Sequence, residues 1–154
     1  MEYSFFYFSV IIVIALTFFL RVFKESTFPR IIIGITTIGY SLINDTIFGL
    51  FYKLFYYISP QESALYSVLA AVLIYPFLNI IYVSFMPQNR ANVAIYTAIW
   101  IGAMLVFEYF SLVTKTIVFT GWQPFPWSII TYIIAYNWIY FFYKYLLKRS
   151  LQIF

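Results

Sequence analysis

Tyr3 to Leu20 reads YSFFYFSVIIVIALTFFL, an apolar run closed by Arg21, Lys24 and Glu25. About 20 such residues, wound as a helix, cross a hydrocarbon core of ~30 Å. The run is continuous rather than alternating, which excludes a transmembrane β-strand. It has neither the basic leading segment nor the small-residue cleavage site of a secretion signal, so it is expected to remain as a first membrane helix.

The rest of the chain repeats this pattern. A second run goes from Ile31 to about Tyr52 and is interrupted by Asn44 and Asp45. A third is opened by Ser59-Pro60-Gln61-Glu62, which has the spacing of a capping box with Pro at the first helical position. It ends at Met86 before Pro87, and Pro76 is expected to kink it. The fourth runs from Asn92 to about Thr114 and contains Glu108, and the fifth from Pro126 to about Tyr145. The spans, about 3–20, 31–52, 60–86, 92–114 and 126–145, fill residues 1–154 as one transmembrane domain. The expected fold is an all-α integral membrane protein, a bundle of five transmembrane helices. The segment from Lys115 to Phe125, with Gly121 and Pro124, is read as a structured turn.

Composition agrees. The 154 residues are 64% hydrophobic and 9% charged, against ~25% charged in soluble domains, so there is too little charge to coat a water-facing surface. A soluble enzyme, a disordered regulator and a nucleic-acid binder are excluded despite the net charge of +4. Without Cys there is no thiolate or disulfide chemistry, and without His the usual haem and zinc ligand is missing. There is no phosphate-cradling glycine loop, nucleophile elbow or clustered acidic metal motif. No cofactor, metal or catalytic residue is therefore expected, and a lipid-modifying enzyme is the weakest reading.

The basic residues set an orientation. Arg21, Lys24, Arg30, Arg90, Lys144, Lys148 and Arg149 fall on one side of a five-span bundle, against Lys53 and Lys115 on the other. By the positive-inside rule the N-terminus is outside and the C-terminus in the cytoplasm, in a cell membrane such as the bacterial plasma membrane. The positive charge is thereby assigned to topology and anionic lipid.

Ionisable groups inside spans are rare and mark function by default. Asp45 and Glu108 lie roughly 22 and ~27 Å along their helices from Arg30 and Arg90, at similar depth in the outer half of the membrane. Gly34, Thr37, Ser41, Asp45 and Gly49 form a small, polar stripe on the second span; Thr97, Ile101, Met104, Glu108, Ser111 and Lys115 form a seam on the fourth. The third offers Ser67, Ala71, Tyr75, Asn79 and Tyr82. The first span is expected to face lipid more than its neighbours, and spans two to five to enclose a polar interior. Asp45, Glu108, Asn44, Ser41 and Ser111 are thus candidates for binding an ion or polar ligand. Two close carboxyls in low dielectric can hold a proton, bind a cation or orient a polar solute, or simply join helices through hydrogen bonds. Lys53 and Lys115 are candidates for an outer mouth. Asn79 and Asn137 are expected to hydrogen-bond neighbouring helices. Tyr52, Phe55, Tyr56, Tyr57, Trp122, Phe125 and Trp127 are read as an outer aromatic belt, and Trp138 to Tyr145 as an inner one, rather than as a stacked pocket for a flat ligand.

Phe107-Glu108-Tyr109, Gly121-Trp122, Trp127-Ser128 and the tail Tyr143-Lys144-Tyr145-Leu146-Leu147-Lys148 resemble an uncharacterised family of small multi-helix membrane proteins of spore-forming Gram-positive bacteria. The resemblance covers roughly the last 45 residues, and its most specific element is the Glu–Gly-Trp–Ser arrangement. The family's pattern has an Arg and a His near the end of the last helix, where this chain reads Tyr140-Phe141-Phe142-Tyr143. The resemblance implies a fold and a type of host, and it favours Glu108 and Trp122 as functional.

These readings give two expectations of function. One is an oligomeric channel or transporter for protons, cations or a small polar solute. The other is a structural or accessory subunit that docks a partner membrane protein through Trp122. The lipid bilayer is the partner in either case.

Overall fold

The computed structural model describes residues 1–20, 22 and 27–150; Arg21, Lys24 and Glu25 lie outside the described residues. The order of elements is α1 (Glu2–Phe19), α2 (Thr27–Asn44), a π-helical continuation (Asp45–Phe51), β1 (Phe55–Tyr57), α3 (Ser63–Leu73), α4 (Tyr75–Ser84), α5 (Arg90–Val113), β2 (Ile117–Phe119), a kinked lead-in (Pro124–Ser128) and α6 (Ile129–Ser150). Four helical segments are long and apolar enough to cross a membrane: Glu2–Phe19, Phe28–Phe51, Ser63–Ser84 and Arg90–Val113. The fifth, α6, has 22 residues but is diluted by Tyr132, Tyr136, Asn137, Tyr140, Tyr143 and Lys144. It also runs to Ser150, past the expected end near Tyr145.

Local chemistry explains the helix ends. Asn89 is in extended conformation and its side chain accepts from the Ala91 N–H, capping α5. The third span breaks at Ile74, between α3 and α4, because Pro76 lacks an N–H and its ring crowds the preceding turn. The helix after Ser59 starts at Ser63 rather than Pro60. A capping box needs the glutamate to reach back to the Ser N–H, but that N–H donates to the Tyr57 carbonyl. Glu62 Oε2 instead accepts from the Ser59 and Tyr3 hydroxyls, at 3.2 and 2.6 Å.

β1 and β2 form an antiparallel ribbon, with Phe55 opposite Phe119 and Tyr57 opposite Ile117. Each strand follows a helix end through a lysine in left-handed conformation, Lys53 at φ 53° and Lys115 at φ 60°. The ribbon ties together the ends of the second and fourth spans. The N-terminus is at the same end, where the Thr116 hydroxyl donates to the Glu2 carbonyl at 3.0 Å.

Among the described residues, two larger apolar clusters and a smaller one of Val22, Ile80 and Ile81 hold the bundle. One of the larger two, at the ribbon end, gathers Phe6, Val13, Tyr57, Tyr66, Ala70 and Ile74 from α1, β1 and α3. The other gathers Ile33, Tyr82, Met104, Tyr136 and Ile139 from α2, α4, α5 and α6. The α1 helix buries a stripe of Phe6, Ser9, Val13 and Thr17, so it does not face lipid more than the others as expected; α5 is the most exposed of the four apolar spans. Ser9 and Thr17 bond to carbonyls one turn back in their own helix, which lets them be buried at no polar cost. The tightest approach is α2 against α4. A Cβ on Gly34 would lie 2.9 Å from Ile80 Cδ1 and 3.8 Å from Pro76 Cβ, and Asn79 donates to the Thr37 hydroxyl at 3.1 Å across the same interface. Asn137 makes no such link: it is exposed and donates to Ile133 of its own helix.

Candidate functional site

A cavity of about 190 Å³ lies among α2, α4, α5 and α6 under the ribbon; α1 does not line it. Thr37, Ser41, Asn44 and Asp45 bring the polar stripe of the second span to its wall, and Glu108 faces it from α5. Asp45 and Glu108 are both buried, at 7% and 8% exposure. Asp45 opens the π-helical stretch, whose wider turn re-aims successive side chains, a device that recurs at functional sites. Among the described residues, no Lys or Arg lines the cavity.

The two carboxyls differ in what they already hold. Glu108 is fully engaged: Oε1 accepts from the Ser128 hydroxyl and Oε2 from the Tyr132 hydroxyl, each at 2.7 Å. Ser128 in turn accepts from the Trp122 indole N–H at 2.9 Å. Asp45 has one side-chain contact, a long one of 3.4 Å from the Tyr57 hydroxyl. Tyr57 also meets the Tyr75 hydroxyl at 2.8 Å. Each phenol carries one proton, so a chain running Tyr75 to Tyr57 to Asp45 uses both. Burial pushes the Tyr57 hydroxyl well above the usual phenol range, which keeps it a donor. Most of the acceptor capacity of Asp45 is therefore open to the cavity.

Four expected site residues are placed differently. Ser111 lines a separate, smaller pocket against α1 and bonds to the Phe107 carbonyl; three residues beyond Glu108, it is turned about 60° round α5, enough to put it on the α1 side of Phe107. Lys53 and Lys115 do not line the cavity. They are exposed at the turns into the strands, where their backbones take the left-handed conformation that ends a helix. The strands of the ribbon begin just after these two turns. Trp122 is turned into the bundle instead of outward to a partner. Its ring meets Phe48 at 5.6 Å and Phe55 at 6.2 Å, both edge to face. The N–H groups of Thr120, Gly121 and Trp122 converge on the Leu54 carbonyl, and a Cβ on Gly121 would come 3.0 Å from the Leu54 side chain. Close approach of that turn to Leu54 is what the glycine permits.

Part of the expected belts also turns inward. Tyr57 is buried and Phe55 lines the cavity, while Tyr52, Phe125 and Trp127 remain exposed. In α6, Tyr143 is buried, and Trp138 lines the cavity and stacks on Tyr40. Sequence reasoning missed Tyr57, Tyr75 and Tyr132 as the hydroxyls that serve the carboxyls. Tyr75 stood on the polar face of the third span, but Tyr57 was masked by its aromatic neighbours. Glu108, Trp122 and Ser128, noted for their arrangement along the sequence, form one hydrogen-bonded chain. A comparison with family models, curated proteins and solved structures finds no match to this chain.

Proposed function

We propose that the protein is a multi-pass membrane carrier that binds a proton, a cation or a small polar solute in this cavity and moves it across the bilayer. All five helices cross the membrane in this reading, with the N-terminus outside and the C-terminus in the cytoplasm. Support for that orientation is the grouping of the N-terminus, Lys53 and Lys115 at the ribbon end, with Arg30, Arg90, Lys148 and Arg149 on helix ends at the other. The observation that carries the function is the buried Asp45 carboxyl, underserved by hydrogen bonds and facing a cavity with no basic side chain in its lining. A structural carboxyl has a short hydrogen bond on each oxygen, as Glu108 has. Asp45 is assigned to ligand binding and Glu108 to fixing the wall. One chain supplies the residues that line the cavity, which favours a carrier over a pore assembled from several copies.

The test is flux in proteoliposomes, measured for protons and for monovalent cations, with helicity by circular dichroism as the folding control. Asp45→Asn is expected to abolish flux while leaving helicity unchanged. Undiminished flux in Asp45→Asn combined with Glu108→Gln overturns the proposal.

A further inference from the structure

The walls of the cavity narrow what it takes, given that it is a binding site. Hydroxyl, amide and carboxyl groups are spread along its walls, but most of the surface they share is ring and aliphatic carbon, from Phe48, Phe55, Phe107, Trp122, Tyr136 and Ile139 among others. A hard inorganic cation such as a divalent metal needs about six to eight oxygens around it, and no cluster of three acidic ligands exists among the described residues. An organic ammonium ion needs much less, one carboxylate and aromatic rings. Asp45 and the surrounding aromatics supply both.

Size points the same way. An apolar cavity of about 150 Å³ accepts a benzene ring, so 190 Å³ accommodates one ring bearing a small ammonium group.

The route in is set by what closes the cavity and what does not. At the ribbon end Phe48, Phe55 and Trp122 pack edge to face beneath the paired strands. On the flank between α2 and α6 the lining residues Tyr40 and Trp138 are themselves 39% and 41% exposed. Their rings stack across the gap with centroids 6.1 Å apart and planes 14° from parallel. Tyr40 is near the middle of the helical segment Phe28–Phe51, and Trp138 near the middle of α6. An exposed ring pair in the cavity wall, one ring from each of two helices, is where the wall can part. A stacked ring pair separates by side-chain rotation alone, with no backbone motion.

We propose that the cavity binds an amphiphilic organic monocation, a single aromatic-sized apolar body carrying an ammonium group, and admits it from the membrane leaflet between α2 and α6 past Tyr40 and Trp138. The ammonium sits at Asp45 and the apolar body among the rings. This rests on the reading of the cavity as a ligand site but not on transport.

The experiment measures binding to the protein in nanodiscs with three probes: benzyltrimethylammonium, its uncharged carbon isostere neopentylbenzene, and tetramethylammonium. Benzyltrimethylammonium is expected to bind at least about tenfold tighter than either of the others, since each lacks one of the two recognised features. Asp45→Asn is expected to weaken it about tenfold and leave neopentylbenzene unchanged. The chain has no cysteine, so Tyr40→Cys with Trp138→Cys places the only two thiols at the gap. Bridging them with a short bifunctional thiosulfonate is expected to slow association about tenfold, and cleaving the bridge to restore it. Equal binding of the charged and uncharged isosteres, or binding indifferent to Asp45→Asn, overturns the choice of ligand. An unchanged association rate in the bridged protein overturns the side route. If benzyltrimethylammonium does not bind while inorganic flux still depends on Asp45, this inference falls and the carrier reading stands; if it binds as expected and flux ignores Asp45, the reverse holds.

Discussion

At the scale of single residues, the two carboxyls look alike in the sequence and are unlike in the fold. Each is a lone acid in an apolar span, which is why both were legible. Their inequality was not, because Tyr57, Ser128 and Tyr132 come from distant parts of the chain. Glu108 closes a network in which each oxygen receives a 2.7 Å bond, and Ser128 is held in turn by Trp122. Glu108→Gln keeps one acceptor and presents an amide donor to hydroxyls already committed as donors. We expect it to lower unfolding free energy by about 1–3 kcal/mol, the cost of leaving buried groups mismatched. Asp45→Asn keeps an amide oxygen able to accept the single 3.4 Å contact from Tyr57 and removes an acid from a buried site, so its effect is expected to stay within about 1 kcal/mol. Chemical denaturation in a mild detergent, followed by circular dichroism, measures both. If the two substitutions destabilise equally, the division of roles between ligand site and wall fails. Trp122→Phe retains the ring contacts but removes the donor to Ser128, and is expected to cost about 1 kcal/mol in the same assay.

At the scale of elements, the apolar runs gave the helices closely, and Pro76 gave the break between α3 and α4. The ribbon was not legible. Phe55–Tyr57 and Ile117–Phe119 are three residues each, too short for an alternating pattern, and as aromatic or β-branched segments they merge with the adjoining spans. Lys53 and Lys115 drew attention as charges, yet their backbones have the more specific role. A non-glycine residue in the left-handed region costs roughly 1–2 kcal/mol, while glycine loses more freedom on folding by about 0.5–1 kcal/mol. Lys53→Gly and Lys115→Gly are therefore each expected to be neutral or stabilising by up to about 1 kcal/mol, with transport unaffected. Loss of flux without loss of stability would restore the lysines as a functional mouth. The glycines of α2 make a second contrast. Gly34 is packed on Ile80, whereas Gly39 has nothing within 4 Å of its would-be Cβ. Gly34→Leu is expected to cost about 1–3 kcal/mol or more by overpacking. Gly39→Leu, on an exposed helical surface, is expected to stabilise by up to about 1 kcal/mol. Equal effects at both positions in thermal denaturation would mean that α2 does not meet α4 through Gly34.

At the scale of the whole molecule, the hydrogen bonds decide which ends belong together, and the proposed orientation rests on the charges. Thr116 to Glu2 and Tyr3 to Glu62 join the N-terminus to both ribbon-end loops, so the N-terminus, Lys53 and Lys115 share one side of the bundle whatever its orientation. Moving a polar loop through hydrocarbon is costly, so the grouping survives in the membrane, and only the choice between two orientations is left to the positive-inside rule. The Cys-free chain makes that choice measurable with single cysteines and a membrane-impermeant maleimide on intact cells. Cysteines in place of Lys53 and Lys115 are expected to react from outside, and those in place of Arg90 and Lys148 only after permeabilisation. The reverse pattern would invert the protein and put the ribbon in the cytoplasm. Labelling of Lys53 and Lys148 from the same side would be more serious, because it would mean that α6, the most polar helix, does not cross. The wall that holds Ser128 and Tyr132 against Glu108 would then not be part of a membrane bundle. The count of crossings and the integrity of the cavity are thus tested by one labelling pattern, since α6 contributes to both.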